Sequence, residues 1–429
     1  MKYPAPDRSL FKNNRDNFCK LLKDKSIALF NANDEYTRSG DQTFIFKQNA
    51  DLFYLSGIDQ EQTILLLFPG CPNILYREVL FLRQTSEHIA IWEGHKYTME
   101  EARKASGIEA VYWLNDFWNI LQAVIYYADN LYLNTNENDR YAHTVPYRDL
   151  RFIADLKDRF PLHNYERAAP LMRGLRAIKS ETEIALTQKA IDMTRDAFKR
   201  VLGFVRPGVM EYEIEAEIIH EFIKQGATGH AYNPIIASGK NAIVLHYNDN
   251  NQPCLDGDVI LFDFGAEYAN YNADMSRSIP VNGRFTPRQK DVYNAVLRVM
   301  REATAMLVAG TIWNEYHEEV GKIMQSELIG LGLLDKKAVA DQDPRMPLYK
   351  KYFMHGTSHH LGIDVHDFAS RYEPFAAGNI LTCEPGIYIP EEGLGIRLEN
   401  NILITESGNI DLMAGIPVEV EEIEELMNR

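Results

Sequence analysis

The 429-residue sequence predicts an α/β (α+β) chain of two domains, the second built from a duplicated unit, and three observations carry that reading. Between Ser26 and about Tyr165, short β-rich runs alternate with polar or helical stretches. Two helix pairs, each opened by a capping box and each followed by a β-rich region, then stand in tandem. With 45% hydrophobic and 25% charged residues the chain has an ordinary globular composition, and its length suits two domains rather than one.

In chain order, the first strands are Ser26-Ile-Ala-Leu-Phe30, Thr63-Ile-Leu-Leu-Leu-Phe68, Glu78-Val-Leu-Phe-Leu82 and Leu131-Tyr-Leu133, all rich in residues that fit a pleated, buried surface. A basic stretch, residues 167–179, carries Pro170 and Gly174 and reads as the boundary, giving an N-terminal α/β domain over 1–174 and a second domain over 175–429. Ser180-Glu-Thr-Glu183 is a capping box, followed at helical spacing by Ile184, Ile191, Phe198 and Leu202, and the helix is expected to end at Arg206-Pro207-Gly208. A second helix places Ile214, Ile218 and Phe222 on one face and stops at Gly226. Beyond it lies Asp258-Val-Ile-Leu-Phe-Asp-Phe264 in a β-rich region.

The order then recurs. Thr286-Pro-Arg-Gln289 is a capping box with proline at the first helical position, followed by Val292, Val296, Val299, Ala303 and Leu307 up to Gly310. A further helix carries Val320, Ile323 and Ile329 to Gly330, and a second β-rich region spans about 355–405. Halves of such a duplication would bury their sheets against their helices about a pseudo-twofold axis, with a ligand site between them.

Charge and cysteine usage narrow the function classes. With 61 acidic against 45 basic residues, the net charge of −16 repels phosphate backbones and anionic lipid, so nucleic acid and membrane are not expected partners. Four scattered cysteines with no C-x-x-C spacing fit reduced thiols. The N-terminus lacks an apolar signal region, and runs such as Ile64-Leu-Leu-Leu-Phe68 fall far short of the ~18 residues a membrane span needs. A soluble, cytoplasmic protein is expected.

The chemistry-bearing residues are acidic and imidazole groups. Asp263 sits inside an apolar strand, where an unpaired carboxylate is costly. Asp274 lies 11 residues on, and a hairpin centred between Tyr268 and Ala269 would set the two directly opposite. The plain alternative makes Asp263 a hydrogen-bonded strand end and Asp274 a turn residue. Glu384 and Glu399 repeat the arrangement, with their midpoint inside Pro390-Glu-Glu-Gly393, a turn signal. Two carboxylates so close repel unless they share a proton or a cation.

His355, His359, His360 and His366 fall within 12 residues, in a context of Gly356, Ser358 and Gly362 that suggests loop or strand. No glutamate follows His355, so a helix-borne H-E-x-x-H zinc site is disfavoured. His246 could be the first half's counterpart of His366. Four carboxylates and one imidazole suit two divalent ions, Mn²⁺ before Zn²⁺ or Co²⁺, about 3.5 Å apart, and the reaction such a pair implies is hydrolysis.

The runs Asp263-Phe-Gly-Ala-Glu-Tyr268, Ala273-Asp-Met-Ser-Arg-Ser-Ile-Pro-Val-Asn-Gly283, His355-Gly-Thr-Ser-His359, Leu361-Gly-Ile-Asp-Val-His-Asp367, Glu384-Pro-Gly-Ile-Tyr388 and Gly395-Ile-Arg-Leu-Glu399 resemble the pita-bread metallopeptidases, and among them the aminopeptidase P (Xaa-Pro aminopeptidase) group. Gln48-Asn-Ala-Asp-Leu-Phe-Tyr-Leu-Ser-Gly57 extends the likeness into an N-terminal domain of the creatinase/prolidase kind. The resemblance implies that Asp263, Asp274, His359, Glu384 and Glu399 hold two metal ions, with Asp274 and Glu399 bridging. It further implies Glu384 as general base, His246, His355 and His366 around the reacting carbonyl, and Arg397 hydrogen-bonded to carboxylates and substrate. Substrates would be peptides with proline second, the assembly a homo-oligomer (dimer or tetramer), and Trp92 a residue that helps close a neighbouring subunit's pocket.

Two departures stand out: His360, where relatives often carry an aromatic residue, and a short turn between Glu384 and Glu399, both expected near the pocket mouth. Prolidase, which accepts only dipeptides, is the nearest alternative. A catalytically inactive peptide-binding relative is the alternative from another class, and the retention of all five metal-competent side chains opposes it.

Overall fold

The computed structural model describes residues 3–138, 140, 144–367 and 369–429. They divide into two compact units, one over Pro4–Arg176 and one over Ala177–Arg429 that Tyr3 joins by packing on Tyr268. The stretch expected as a linker is largely the helix Ala169–Ala177. Pro170 falls in its first turn, where its missing N–H leaves no helical bond unmade.

The first unit is organised by a mixed six-stranded sheet in the order Ala110–Trp113, Glu78–Leu82, Ile64–Leu67, Ser26–Asn31, Asn130–Leu133, Asn164–Arg167. Ser26–Asn31, Ile64–Leu67 and Asn130–Leu133 are buried at every position. That is why the sequence shows continuous apolar runs there and not alternation: both faces of the central strands are covered. The two strands the sequence reading left unassigned are the edges, and both are part-exposed: Ala110–Trp113 is a short apolar run, whereas Asn164–Arg167 is polar and carries none.

In the second unit, both predicted capping boxes form. Ser180 caps Glu181–Leu202, and Thr286 caps Pro287–Met306 with proline in the first turn. The helices stop short of the expected Gly208 and Gly310, at Leu202 and Met306, while Glu211–Lys224 and Trp313–Gly330 follow as anticipated. Phe198, Ile214, Ile218, Phe222, Val292 and Val296 from the helices share one core with Ile260, Phe262, Leu381 and Ile402 from the strands. The second β-rich region begins later than expected, because the described residues between 355 and 378 join no strand apart from an isolated bridge between His360 and Leu381. Among the described residues no helix is long and apolar enough to cross a membrane.

Two antiparallel arrangements carry the acidic pairs. Val259–Asp263 runs against Ser276–Pro280 with Asp263 opposite Ser276, not opposite Asp274. The cause is the turn: Ala269 and Asn270 have φ of 50° and 67°, the two left-handed central residues of a tight hairpin turn, and Tyr268 pairs with Tyr271. The hairpin is therefore centred one residue later than the sequence suggested, which moves every partner by two and leaves the face unchanged. Asp263 and Asp274 are diagonal neighbours. For the glutamates the expected register holds, since Gly386 pairs with Arg397 on one side and Cys383 with Asn400 on the other, which sets Glu384 against Glu399.

Gly265 lies between the two aspartates, and a β-carbon there would stand 1.8 Å from the Ala273 carbonyl oxygen. Gly174 in the helix Ala169–Ala177 has open space instead. Gly265→Ala is thus expected to destabilise the protein by about 1–3 kcal/mol, and Gly174→Ala to stabilise it by about 0.5–1 kcal/mol. Urea denaturation of the full chain checks both signs.

Candidate metal centre

Each candidate carboxylate sits at or beside the end of a strand, and His359 lies in coil tied to one, so backbone hydrogen bonds fix where the side chains start. Asp263 ends its strand, and Asp274 precedes Ser276–Pro280, held by hydrogen bonds to Asn401 from its own N–H and from the Asn401 amide to its carbonyl. His359 exchanges backbone and hydroxyl hydrogen bonds with Thr382 in the strand Ile380–Cys383, and Glu384 follows that strand with its N–H on the Thr357 carbonyl. Glu399 lies between Leu394–Arg397 and Asn400–Thr405.

These backbones bring the side chains together. Asp274, His359 and Glu399 each offer a ligand atom within 4.8 Å of the others. Glu384 joins through His359, whose Nε2 lies 3.7 Å from its Oε1 and 3.3 Å from Asp274 Oδ2. Asp263 joins through Tyr232, whose hydroxyl reaches both Asp263 and Asp274. Arg397 spreads its guanidinium over Asp263 (2.6 Å), Ser276 Oγ (2.7 Å) and Tyr388 Oη (2.9 Å), and Ser276 donates in turn to Glu399 Oε2 at 2.8 Å.

Three observations show that this donor set fits cations. His359 Nδ1 donates to the His360 carbonyl at 3.0 Å, so in the neutral ring the Nε2 lone pair faces two carboxylates. A second ring nitrogen bonded to a backbone carbonyl is the usual support of a metal-bound histidine. The Tyr232 hydroxyl has one hydrogen for two carboxylates. Glu399 Oε1 is buried with no hydrogen-bond partner among the described residues. A positive charge between these groups resolves all three; protons do so in its absence.

The electrostatics agree. Burial, reinforced by Asp274, Glu384 and Asp263, pushes Glu399 well above the usual carboxylate range. Burial raises Glu384 to about 7, despite the opposing charges of His359 and Arg397. For His359, burial alone would lower the pKa, but the hydrogen bond to Asp274 and the Glu384 charge outweigh it and raise it. Burial and the two aspartates hold Tyr232 protonated.

The remaining predicted residues separate by depth. His355 is half-buried, and burial together with Arg397 lowers its pKa to about 3, so it is neutral. Its Nδ1 donates to the Gly356 carbonyl, leaving Nε2 to accept from Tyr388 Oη at 2.8 Å. His366 is exposed but sets its ring edge-on to His359, 4.5 Å between centroids. His246 is exposed in the coil after Gly239–Ile243, near enough for its charge to act on His355.

His360 corrects an expectation. It is not at a pocket mouth but buried, stacked on Trp313 at 5.9 Å and edge-on to Phe375, and burial lowers its pKa to about 3. A neutral imidazole there fills an aromatic's place. Tyr232, Tyr388 and Ser276 were not singled out in the sequence, although Tyr388 and Ser276 stand inside the quoted motifs. Tyr232, in coil before Ile235–Ser238, carries no periodicity or charge that could have marked it.

Known proteins resemble the chain along most of its length. A family model described as metallopeptidase family M24 matches residues 185–406, and one described as aminopeptidase P, N-terminal domain, matches residues 11–132. The chain is 33% identical to Xaa-Pro aminopeptidase of Haemophilus influenzae over 96% of this chain and 95% of that one. It is 34% identical to Xaa-Pro aminopeptidase of Escherichia coli over 98% of each. Zinc-substituted aminopeptidase P of E. coli in complex with product superposes with a TM-score of 0.88 at 32% identity, covering 98% of both chains.

Two outcomes follow from the site's electrostatics. The raised Glu384 and Glu399 hold protons in the metal-free protein that a cation must displace, so divalent binding should release protons and weaken as pH falls below about 7. Calorimetry in buffers of different ionisation enthalpy measures both effects. Tyr232→Phe removes the hydroxyl that orients the candidate ligands Asp263 and Asp274 and should weaken metal affinity by about 10–100-fold, read as dissociation constants from competition with a chelating dye.

Proposed function

The chain belongs to metallopeptidase family M24, and on that premise we propose that it is a metal-dependent Xaa-Pro aminopeptidase, releasing the N-terminal residue from peptides with proline second. The observation that carries this reading is the His359 lone pair aimed at Asp274 and Glu384, inside a ring closed by Asp263 and Glu399. The pita-bread fold and the match along nearly the whole of each relative favour an aminopeptidase of this kind over a dipeptide-restricted prolidase. Five retained metal-competent side chains oppose an inactive binding protein.

Asp263, Asp274, His359, Glu384 and Glu399 would hold two divalent ions. Mn²⁺ suits a set of four carboxylates and one imidazole, with Zn²⁺ or Co²⁺ as substitutes. Bound there, such ions would supply polarisation of the scissile carbonyl and a more acidic water.

The chain's own groups do the rest. Glu384, whose environment places its pKa near neutrality, accepts the water's proton and passes it on towards the leaving proline nitrogen. Arg397 keeps Asp263 and Tyr388 in place. His355, neutral and locked in one tautomer by Gly356 and Tyr388, offers its ring to the substrate together with His366 and His246, which line the approach. Proline has no amide N–H to give, so a site that recognises it reads ring shape and the flanking carbonyls.

For localisation and assembly the proposal is a cytoplasmic homo-oligomer. Four unpaired cysteines, three of them buried, match a reducing compartment. On the helix Glu87–Glu93 of the first unit, Ile91 and Trp92 are 79% and 77% exposed, as expected of residues that meet a neighbouring copy.

The test compares an Xaa-Pro-Yaa tripeptide with an Xaa-Pro dipeptide on metal-stripped enzyme before and after adding Mn²⁺. Release of Xaa from the tripeptide only with metal, and not by Asp274→Ala, is the expected result. Cleavage confined to the dipeptide would move the assignment to prolidase, and no cleavage with any divalent ion would sink the catalytic reading.

A further inference from the structure

Outside the metal centre, the second unit holds one buried carboxylate with an unusual concentration of donors. Glu211, the first residue of the helix Glu211–Lys224, is fully buried. Its Oε1 accepts from the Ser238 N–H (2.9 Å), the Ser238 hydroxyl (2.6 Å) and the Asn241 amide (3.3 Å). Its Oε2 accepts from the Tyr247 hydroxyl (2.7 Å) and the Gln252 N–H (2.9 Å). All five donors belong to one loop, residues 238–252, whose two ends and middle thus meet on a single side chain.

That loop carries His246. On its inner side Gly239–Ile243 lies so close to the strand Leu394–Arg397 that a β-carbon on Gly395 would stand 2.1 Å from the Ala242 carbonyl oxygen. Tyr247, next to His246, packs in one cluster with Leu261 and Tyr388, and Tyr388 holds both His355 and Arg397. Towards its far end Asn250 ties the loop to Pro234, Ile236 and Glu215. A carboxylate is the one side chain that can serve here, being all acceptor; an amide would turn a donor towards donors.

We infer that Glu211 is a positioning residue for peptide hydrolysis: its carboxylate fixes the loop that presents His246 to the substrate. This rests on the role given to His246 above. Glu211 touches neither substrate nor metal ligands and acts through the placement of one ring, the kind of remote constraint whose loss costs rate by misalignment.

The test is a double-mutant cycle on the metal-loaded full chain, reading kcat/KM for an Xaa-Pro-Yaa tripeptide, metal content, and hydrogen exchange of residues 239–252. Glu211→Gln should keep its metal, exchange faster in that loop, and lose between about ten- and a hundredfold in kcat/KM. In a His246→Ala background the same substitution should cost less than about twofold, because the ring it positions is gone. Tyr247→Phe, which removes one donor and keeps the buried charge satisfied, should show the same pattern at smaller size, and its cycle with His246→Ala decides the matter if Glu211→Gln does not fold. Losses that multiply in full in the double variants would overturn the inference, as would wild-type kcat/KM in a folded Glu211→Gln. A His246→Ala enzyme with wild-type kinetics would overturn the role of His246 and this inference together, whereas an inactive wild type would be a failure of the peptidase reading itself.

Discussion

Mutual repulsion among buried carboxylates is the constraint on which the second unit depends. Asp274 and Glu399 are buried, Asp263 and Glu384 half-buried, all in one place, and desolvation is the first cause of the raised pKa of Asp263, Glu384 and Glu399. No packing of apolar groups can compensate charges of one sign brought so close. Positive charge must be supplied, and the molecule supplies it in two ways: permanently by Arg397 and exchangeably at the position faced by His359 Nε2, Tyr232 Oη and Glu399 Oε1. The exchangeable position is one that a proton can fill and that a divalent ion would contest under the proposed function.

Holding such a centre requires stiffness, and strand ends provide it. Each carboxylate leaves the backbone where a ladder or a backbone hydrogen bond has already fixed its direction, and hydroxyls then lock the side chains: Ser276 on Glu399, Tyr232 between the aspartates, Tyr388 between His355 and Arg397. The imidazoles divide by solvation. His355 and His360 are neutral because burial expels their charge, whereas His359 is drawn the other way by the carboxylates it faces. Histidines of identical chemistry thus become an acceptor, an aromatic filler and a candidate ligand according to what surrounds them.

The legibility of this site in the sequence followed the kind of information each residue carries. Odd separations between Asp263 and Asp274, and between Glu384 and Glu399, announce shared faces, since side chains alternate along a strand. That inference survived an error in the turn, because Ala269 and Asn270 shift the hairpin by a full period of two and leave the face intact. Capping boxes at Ser180 and Thr286 were readable because a cap is a local interaction among four residues. Tyr232 and Glu211 were not, since their partners lie 31 and 42 residues away for the tyrosine and 27 to 41 for the glutamate, at distances the chain spells nowhere.

By itself the sequence determined the two-part α/β organisation, the helix starts, the acidic pairs and the histidine cluster, all properties that depend on composition, periodicity or short-range spacing. The motifs pointed to His359 and Arg397 only through a family resemblance; tertiary structure decided that His360 is buried as a spacer and which hydroxyls, with that guanidinium, hold the ring of candidate ligands. Those choices depend on desolvation and on contacts between strands of different halves of the second unit, and both arise only when the folded chain excludes water from the place where its negative charges meet.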